Sequence, residues 1–145
     1  MCIRDRFHTE RFWQFATSGF PANIIRSKGL FWLASRPAHA LIWSSAGGSL
    51  KTDPAGVWWA SMPFSERINY GAFVDNQSLI ESDWHHEFGD RKNELVFIAQ
   101  HLDKAKLMEL LEDCLLTPAE QELWKNGKLQ LTDHWPIEAL EDTQY

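Results

Sequence analysis

Residues 24–34 show the clearest alternation of side chains in the chain, which predicts a β-strand with two different faces. One face carries Ile25, Ser27, Gly29, Phe31 and Leu33. The other face carries Ile24, Arg26, Lys28, Leu30 and Trp32. We expect the first face to pack against a helix, because small residues such as Gly29 let another backbone come close. The second face is amphipathic and is a candidate interface, since the aliphatic stems of Arg26 and Lys28 can cover apolar surface while their charges stay in water.

Two further segments have the pattern of strands. Residues 41–60 contain three short apolar runs separated by glycine-containing turns at residues 46–48 and 53–56, which predicts an antiparallel meander. Residues 94–100 are apolar at consecutive positions, so we expect a central strand covered on both faces. Residues 63–93 are polar and mixed in charge, and we expect a long excursion that contains some helix.

Three segments have the pattern of helices. The first begins at Glu10 after Thr9 as N-cap and ends at Gly19. The second follows the N-cap Asp103 and has an apolar stripe on one side. Its stripe consists of Leu107, Leu110, Leu111, Cys114 and Leu115. The third opens with a capping box at residues 117–120 and ends near Gly127.

Composition indicates one acidic domain. The 145 residues carry a formal charge of -6, with 44% hydrophobic residues, which argues against a nucleic-acid partner. No apolar run approaches the roughly 18 residues of a membrane span, so we expect no membrane partner and a cytoplasmic location. Two cysteines, Cys2 and Cys114, make no disulfide framework, and we expect reduced thiols. The segment order predicts an α+β fold with an antiparallel sheet and helices on one face.

Six blocks of the sequence resemble one protein family. They are residues 7–11 (FHTER), 26–34 (RSKGLFWLA), 43–48 (WSSAGG), 56–60 (GVWWA), 89–98 (GDRKNELVFI) and 113–117 (DCLLT). Together they resemble the successive motifs of the CobW C-terminal domain, and six blocks in order are far more specific than any single one. The resemblance implies a ferredoxin-like two-layer sandwich, in which the first strand is central.

The resemblance also implies a longer parent protein. The CobW family consists of P-loop GTPases that act as metal chaperones or insertases for zinc, or for cobalt in cobalamin biosynthesis. Its C-terminal domain is expected to regulate the GTPase domain and to contact a metalloprotein client. This chain has no G-x-x-x-x-G-K-[ST] loop and no Cys-x-Cys-Cys motif. We therefore expect GTP, magnesium and zinc or cobalt in the full-length protein, no cofactor in this chain, and no enzymatic activity of this chain alone.

The resemblance divides the chain into three parts. Residues 7–127 correspond to the CobW C-terminal domain, although Thr9 stands where the family usually has Pro and Ala99 where it usually has Gly. Residues 1–6 match nothing expected there, so we expect a non-native stretch or a truncated first strand. Residues 128–145 are expected to form a loosely attached tail.

Three histidines are candidate metal ligands. His85, His86 and His101, with Asp83 or Glu87, have donor atoms that suit zinc or cobalt. Adjacent histidines point apart in a strand and diverge by about 100 degrees on a helix, so solvated histidines without a metal are the competing interpretation.

No residue is a candidate for catalysis. The chain has no nucleophile motif such as G-x-S-x-G. His8, Glu10 and Arg11 resemble a Phe-His-Pro-Glu-Arg motif of the family and are expected to fix the first helix. Asp90 and Arg91 either pair internally or contact the GTPase domain. The predicted interface and structural residues are His8, Glu10, Arg11, Arg26, Lys28, Gly29, Trp32, Asp90 and Arg91.

Three classes of function compete. The first is a regulatory and client-binding domain of a GTP-dependent metal chaperone. The second is a stand-alone metal-binding or protein-interaction module that uses His85, His86 and His101. The third is an independent enzyme, for which the sequence contains no acid–base pair, nucleophile or cofactor loop with supporting context. The cargo metal, the client and the oligomeric state are left open.

Overall fold

The computed structural model describes residues 2–47 and 49–137. The elements in chain order are β1 (Cys2–Ile3), α1 (Thr9–Ser18), β2 (Ile24–Phe31), β3 (His39–Ala46), β4 (Ser49–Val57), a 3-10 helix (Trp59–Ser61), α2 (Phe64–Arg67), α3 (Gly71–Ser82), β5 (Asn93–Ala99), α4 (Lys104–Glu112) and α5 (Pro118–Lys125). This is the predicted α+β composition, and the predicted helical content of residues 63–93 is confirmed as α2 and α3.

The strands form one antiparallel sheet in the order β1-β5-β2-β3-β4. Strand β2 is central, with Lys28 opposite Ser44 on β3 and opposite Val96 on β5. Strand β1 lies at the edge and not at the centre, where we expected the first strand. It has two residues and pairs with β5 alone. Strand β5 therefore pairs directly with β2, with no strand between them.

Helices α1 and α4 cover one face of the sheet, as predicted. Phe12 of α1 and Leu111 of α4 are fully buried, and both belong to one core with Trp43 of β3. The ring of Phe12 stacks on Phe7 and on Trp43, with centroids 3.9 and 5.2 Å apart. The domain is therefore a two-layer sandwich whose core lies between helices and sheet.

A bulge in β2 changes the predicted faces of that strand. The β2–β5 register shifts between Ile24 and Arg26, so Ile24 packs against the core while Ile25 is 51% exposed. The prediction that Ile24 lies on the face opposite Phe31 is therefore wrong. The period-two pattern of a single strand does not indicate where that strand has an extra residue relative to its partner.

Residues 53–56 belong to strand β4, whereas we predicted that they form the second turn of the meander. Residues 53–56 continue the strand, with Pro54 opposite Leu41 and Gly56 opposite Ala40. Since Ala55 then has no counterpart on β3, this position is a bulge, and β4 is an edge strand. Proline and glycine are tolerated at such positions, which is why turn residues here do not end the strand. The predicted third strand of the meander is instead the 3-10 helix.

Strand β5 is covered on one face only, which corrects the prediction of a doubly covered strand. Leu95 is buried, whereas Val96 and Ile98 are 52% and 55% exposed. The consecutive apolar residues place hydrophobic side chains on both faces, but α1 and α4 lie on one side of the sheet. The outer face of β5 is therefore apolar and open to solvent.

The helix ends match the sequence signals, apart from the first. Asp103 caps α4 and Thr117 forms a capping box with Glu120 at the start of α5, both as predicted. His8 caps α1 in place of the predicted Thr9, because its Nδ1 accepts a hydrogen bond from the Arg11 amide. Thr9 instead bonds Ser35 through its hydroxyl.

Residues 128–137 contribute two side chains to the core, although we expected a loosely attached tail. Trp135 and Ile137 are 4% and 6% exposed. The indole of Trp135 donates to the carbonyl of Thr9 at 3.1 Å, and Arg36 forms two hydrogen bonds with the carboxylate of Asp133. Neither the tryptophan nor the ion pair belongs to a periodic pattern, so the sequence contained no local sign of this packing. The rest of the predicted tail lies outside the described residues.

The N-terminal residues also pack tightly. Arg6 is fully buried, with its guanidinium 4.4 Å from the ring centroid of Trp124 and bonded to Asp5. Arg4 pairs with Asp83 at 2.8 Å, and Asn93 donates to the carbonyls of Ile3 and Asp5. These contacts hold the described part of the segment to β5, α5 and the loop after α3. Whether residues 1–6 are native stays a prediction.

Candidate interaction surface and motif residues

His8 and Arg11 join α1 to α5 through one carboxylate. The guanidinium of Arg11 forms two hydrogen bonds with Glu120, at 2.6 and 3.0 Å, and a third with the carbonyl of Leu115 at 2.8 Å. The Nε2 atom of His8 lies 3.4 Å from the same carboxylate. Glu10 is partly exposed in the first turn of α1, where a negative charge suits the helix dipole.

The electrostatics of this cluster hold Glu120 ionised. Hydrogen bonds from Arg11, followed by the capping bonds of Thr117, lower the pKa of Glu120 from 4.5 to about 2 despite partial burial. Burial and the charge of Arg11 lower the pKa of His8, while Glu120 opposes that change. A neutral histidine that accepts a backbone hydrogen bond through Nδ1 is a helix cap. The geometry gives these residues a structural role.

Asp90 and Arg91 both form internal contacts. The carboxylate of Asp90 accepts from the amides of Trp59 and Ala60 at 2.9 and 2.8 Å, so it caps the 3-10 helix. Arg91 donates to the carbonyl of Pro37 at 2.7 Å and lies over the ring of Trp32 at 5.5 Å. Of the two roles that we left open, internal pairing is the one this structure shows.

Trp32 does not lie on the exposed face where we expected it. It is 1% exposed in a second small cluster with Ala40 and Trp58, and Phe88 packs against it. Its indole donates to the carbonyl of Arg4 at 3.1 Å. Residues 84–91 fold back over this end of the sheet, a long-range contact that strand periodicity could not indicate.

Gly29 makes room for a neighbouring strand. We had expected it to make room for a helix. A Cβ at this position would fall on the backbone oxygen of Glu94 and 2.8 Å from the Cα of Leu95. The requirement for a small residue was correct, but the backbone that approaches is β5.

The three candidate histidines do not come together. His85 uses Nδ1 to accept from the amides of Glu87 and Phe88, and its ring stacks on His86. His101 follows the far end of β5, a strand of 7 residues, which corresponds to about 20 Å. Among the described residues, no group of three or more His, Cys, Asp or Glu side chains could hold a metal ion.

One face of the sheet remains accessible between these packed regions. We call it the open face, and define it as the outward side chains of the four long strands on the side away from α1 and α4. It consists of Glu94, Val96 and Ile98 on β5, Arg26, Lys28 and Leu30 on β2, Ile42, Ser44 and Ala46 on β3, and Ser49, Lys51 and Asp53 on β4. Arg26 and Lys28 are exposed here, as predicted from the strand pattern.

The comparison with protein families decides the identity of the domain. The model described as the cobalamin synthesis protein cobW C-terminal domain matches residues 1–115. The chain belongs to this family. The six sequence blocks that suggested it lie within the matched range except for the last two residues of the sixth.

Curated relatives of this cobW C-terminal domain are longer proteins. The chain is 36% identical over 126 residues to "Zinc-regulated GTPase metalloprotein activator 1" of Dictyostelium discoideum, covering 85% of this chain and 26% of that protein. It is 32% identical over 119 residues to "Zinc chaperone Rv0106" of Mycobacterium tuberculosis, covering 81% and 29%. The chain thus spans little more than a quarter of either relative.

A solved structure shows the same fold. A Zn(II)-bound triple mutant of the YjiA GTPase aligns with a TM-score of 0.50 at 11% identity, covering 80% of this chain and 28% of that one. At this identity the similarity concerns the fold of the cobW C-terminal domain alone.

One motif of P-loop GTPases is missing from the sequence of this cobW C-terminal domain. Its sequence has no G-x-x-x-x-G-K-[ST] loop, the motif with which P-loop GTPases bind the phosphates and magnesium. In the described part of the chain, no helix is long and apolar enough to span a membrane.

Proposed function

We propose that this chain is the C-terminal domain of a longer, GTP-dependent zinc chaperone or insertase, in which it regulates the GTPase domain and contacts the metalloprotein client. The observation that carries the proposal is the pair of relatives that match over more than 80% of the chain and are named as a zinc-regulated GTPase and a zinc chaperone. Zinc is favoured over cobalt as cargo because both names specify zinc. A cytoplasmic location is part of the proposal, and cell fractionation tests it.

The geometry supports a contacting role over a catalytic one. Arg11, a charged residue of the first family-like block, binds Glu120. Asp90 and Arg91 are likewise engaged in internal hydrogen bonds. The open face carries exposed side chains, among them Arg26 and Lys28, that form no ion pair among the described residues. An arrangement of this kind suits a domain that binds other proteins.

The alternative of a stand-alone metal-binding module has less support. It required His85, His86 and His101 to cooperate, and β5 separates the first two from the third. Zinc titration of the chain, followed by histidine proton NMR signals, tests it. A single tight site that shifts all three histidines would favour this alternative.

A domain exchange tests the proposal. The C-terminal domain of the Dictyostelium relative is replaced by this chain, and GTP hydrolysis is measured with and without zinc. We expect the exchanged protein to keep zinc-regulated hydrolysis, and a version that ends before the domain to lose the regulation. This chain alone should neither bind nor hydrolyse GTP, because it has no phosphate-binding loop.

The control is the same exchanged protein with Glu122→Gln, a change at an exposed position of α5, which should behave as the unmodified exchange. Hydrolysis that is equally sensitive to zinc with and without the domain would contradict a regulatory role. GTP turnover by the purified chain alone would contradict the proposal that GTP is hydrolysed by a separate GTPase domain.

A further inference from the structure

The open face combines exposed apolar side chains with positive charge. Val96 and Ile98 are 52% and 55% exposed, and Ile42 is 42% exposed. Lys28 lies directly opposite Val96, and Arg26 directly opposite Ile98. Directly opposed residues have Cβ atoms about 5 Å apart, so each cationic stem borders an apolar side chain. A shallow depression of about 140 Å³ lies among these residues.

Arg26 and Lys28 have no acidic partner among the described residues. None of the ion pairs within the described part of the chain involves either residue. The other charged residues of the open face are paired, Lys51 with Asp53 and Glu94 with Lys92. The whole chain has a formal charge of -6. Two neighbouring cations that have no ion-pair partner within residues 2–47 and 49–137 thus lie beside exposed apolar side chains in a chain of net negative charge.

The size of the open face suits a transient complex. Four strands about 4.8 Å apart and three rows of side chains roughly 6.8 Å apart give an area on the order of 400 Å². Stable interfaces cover about 800 Å² on each partner, and transient ones fall below this. Free charges accelerate the encounter of separate molecules more than they add to affinity. Both properties suit a client that must bind and leave.

We propose that the open face binds the client protein through a segment that presents carboxylates beside apolar side chains, with the carboxylates facing Arg26 and Lys28. This inference rests on the proposed function, because that function supplies the client. The exposed aliphatic residues and the small number of cations favour a protein over a nucleic acid, which would require a more extensive basic surface. The absence of aromatic side chains from the set that defines the open face points the same way.

The test uses the chain itself and a synthetic probe. A soluble peptide of alternating Glu and Leu residues is titrated into the isotope-labelled chain, and amide shifts are followed by NMR. We expect shifts at Arg26, Lys28, Val96 and Ile98, a dissociation constant on the order of 0.1–1 mM, and weaker binding as salt is raised. A peptide with Gln in place of Glu should bind about fivefold more weakly, since two exposed charge pairs at about 0.5 kcal/mol each contribute about 1 kcal/mol.

Matched variants identify the surface. Arg26→Gln with Lys28→Gln should weaken binding of the acidic peptide about fivefold. Lys106→Gln with Lys128→Gln makes the same charge change at exposed positions outside the open face and should leave binding unchanged. A Val96→Thr variant, which keeps shape and charge, should also weaken binding. Amide spectra of the free variants verify that each is folded.

Four results of the binding experiments on the isolated chain would overturn the proposal. They are no shifts up to the solubility limit of the peptide, shifts confined to other surfaces, equal binding of the acidic and neutral peptides, and tighter binding of an oligothymidylate to the same residues. A further arm joins the chain to the GTPase domain of the Dictyostelium relative. If that domain abolishes peptide binding, it covers the open face itself, and the assignment to the client is wrong. Zinc-regulated hydrolysis in the domain exchange is independent of these outcomes, so the two proposals fail separately.

Discussion

Replacing Glu120 by glutamine should destabilise the protein at neutral pH and have little effect near pH 2. Glu120 is the carboxylate that receives both hydrogen bonds from Arg11, at 2.6 and 3.0 Å, and it also completes the capping box of α5 with Thr117. Glutamine keeps an oxygen for the Thr117 amide but loses the charge that Arg11 requires. The change therefore isolates the ionic part of the contact between α1 and α5.

The lowered pKa of Glu120 gives the size of the stability loss expected for Glu120→Gln. Its decrease from 4.5 to about 2, caused first by the Arg11 hydrogen bonds, corresponds to about 3 kcal/mol at about 1.4 kcal/mol per pH unit. Because the Arg11 side chain is 34% exposed, solvent screening reduces the contribution of the pair to about 1–2 kcal/mol. The carboxylate is more acidic in the folded protein than in the unfolded chain. Its stabilisation is thus fully present above pH 4.5 and is lost as the pH falls through about 2.

The measurement is urea denaturation followed by tryptophan fluorescence at about pH 7, 4 and 2. We expect Glu120→Gln to lower the free energy of unfolding by about 1–2 kcal/mol at neutral pH, with the difference shrinking toward zero in acid. Glu122→Gln on the same helix is the control, since Glu122 is exposed, and it should match the unmodified protein throughout. A deficit for Glu120→Gln that is the same at neutral and acidic pH would refute the electrostatic reasoning.

Three further experiments, two with substitutions and one with chemical labelling, test the packing. Gly29→Ala should cost about 1–3 kcal/mol, because the added methyl meets the Glu94 oxygen and the Leu95 Cα, whereas Gly71→Ala, with open space around it, should be neutral or stabilising in the same denaturation assay. Trp135→Ala should cost about 3–5 kcal/mol, and the exposed neighbour change His134→Ala should cost almost nothing; equal effects would show that residues 128–137 are not part of the core. Burial raises the pKa of Cys114 to about 11, so alkylation of the peptide containing Cys114, followed by mass spectrometry, should be slow at neutral pH and become fast in urea.

Local features of the fold could be predicted because local residues determine them. The capping box at Thr117 and the cap at Asp103 involve residues three positions apart. Alternation within β2 placed Arg26 and Lys28 on the exposed face. Hydrophobic stripes identified the helices that cover the sheet. In each case the cause and its effect lie within one turn or one strand.

Features that depend on distant residues were missed for the corresponding reason. Arg36 and Asp133 are 97 positions apart, and the burial of Trp32 depends on residues 84–91 folding back over it. The bulge that exposes Ile25 exists only in the pairing of β2 with β5. A single sequence contains no signal for such pairings, so the interface prediction included Trp32, which is buried, beside Arg26 and Lys28, which are not.

The candidate site can therefore be identified only after the internal pairs have been assigned. In the sequence, Arg11, Arg26 and Arg91 are equivalent charged residues within family-like blocks. The structure separates them, because Arg11 binds a carboxylate 109 positions away and Arg91 binds the carbonyl of Pro37. A charged side chain that binds internal partners contributes to the fold, and this contribution explains its presence. Arg26 has no such partner among the described residues, and it lies opposite Ile98, an apolar side chain that is 55% exposed and that a bound partner would remove from water. The open face is for this reason the part of the domain whose composition folding alone does not explain.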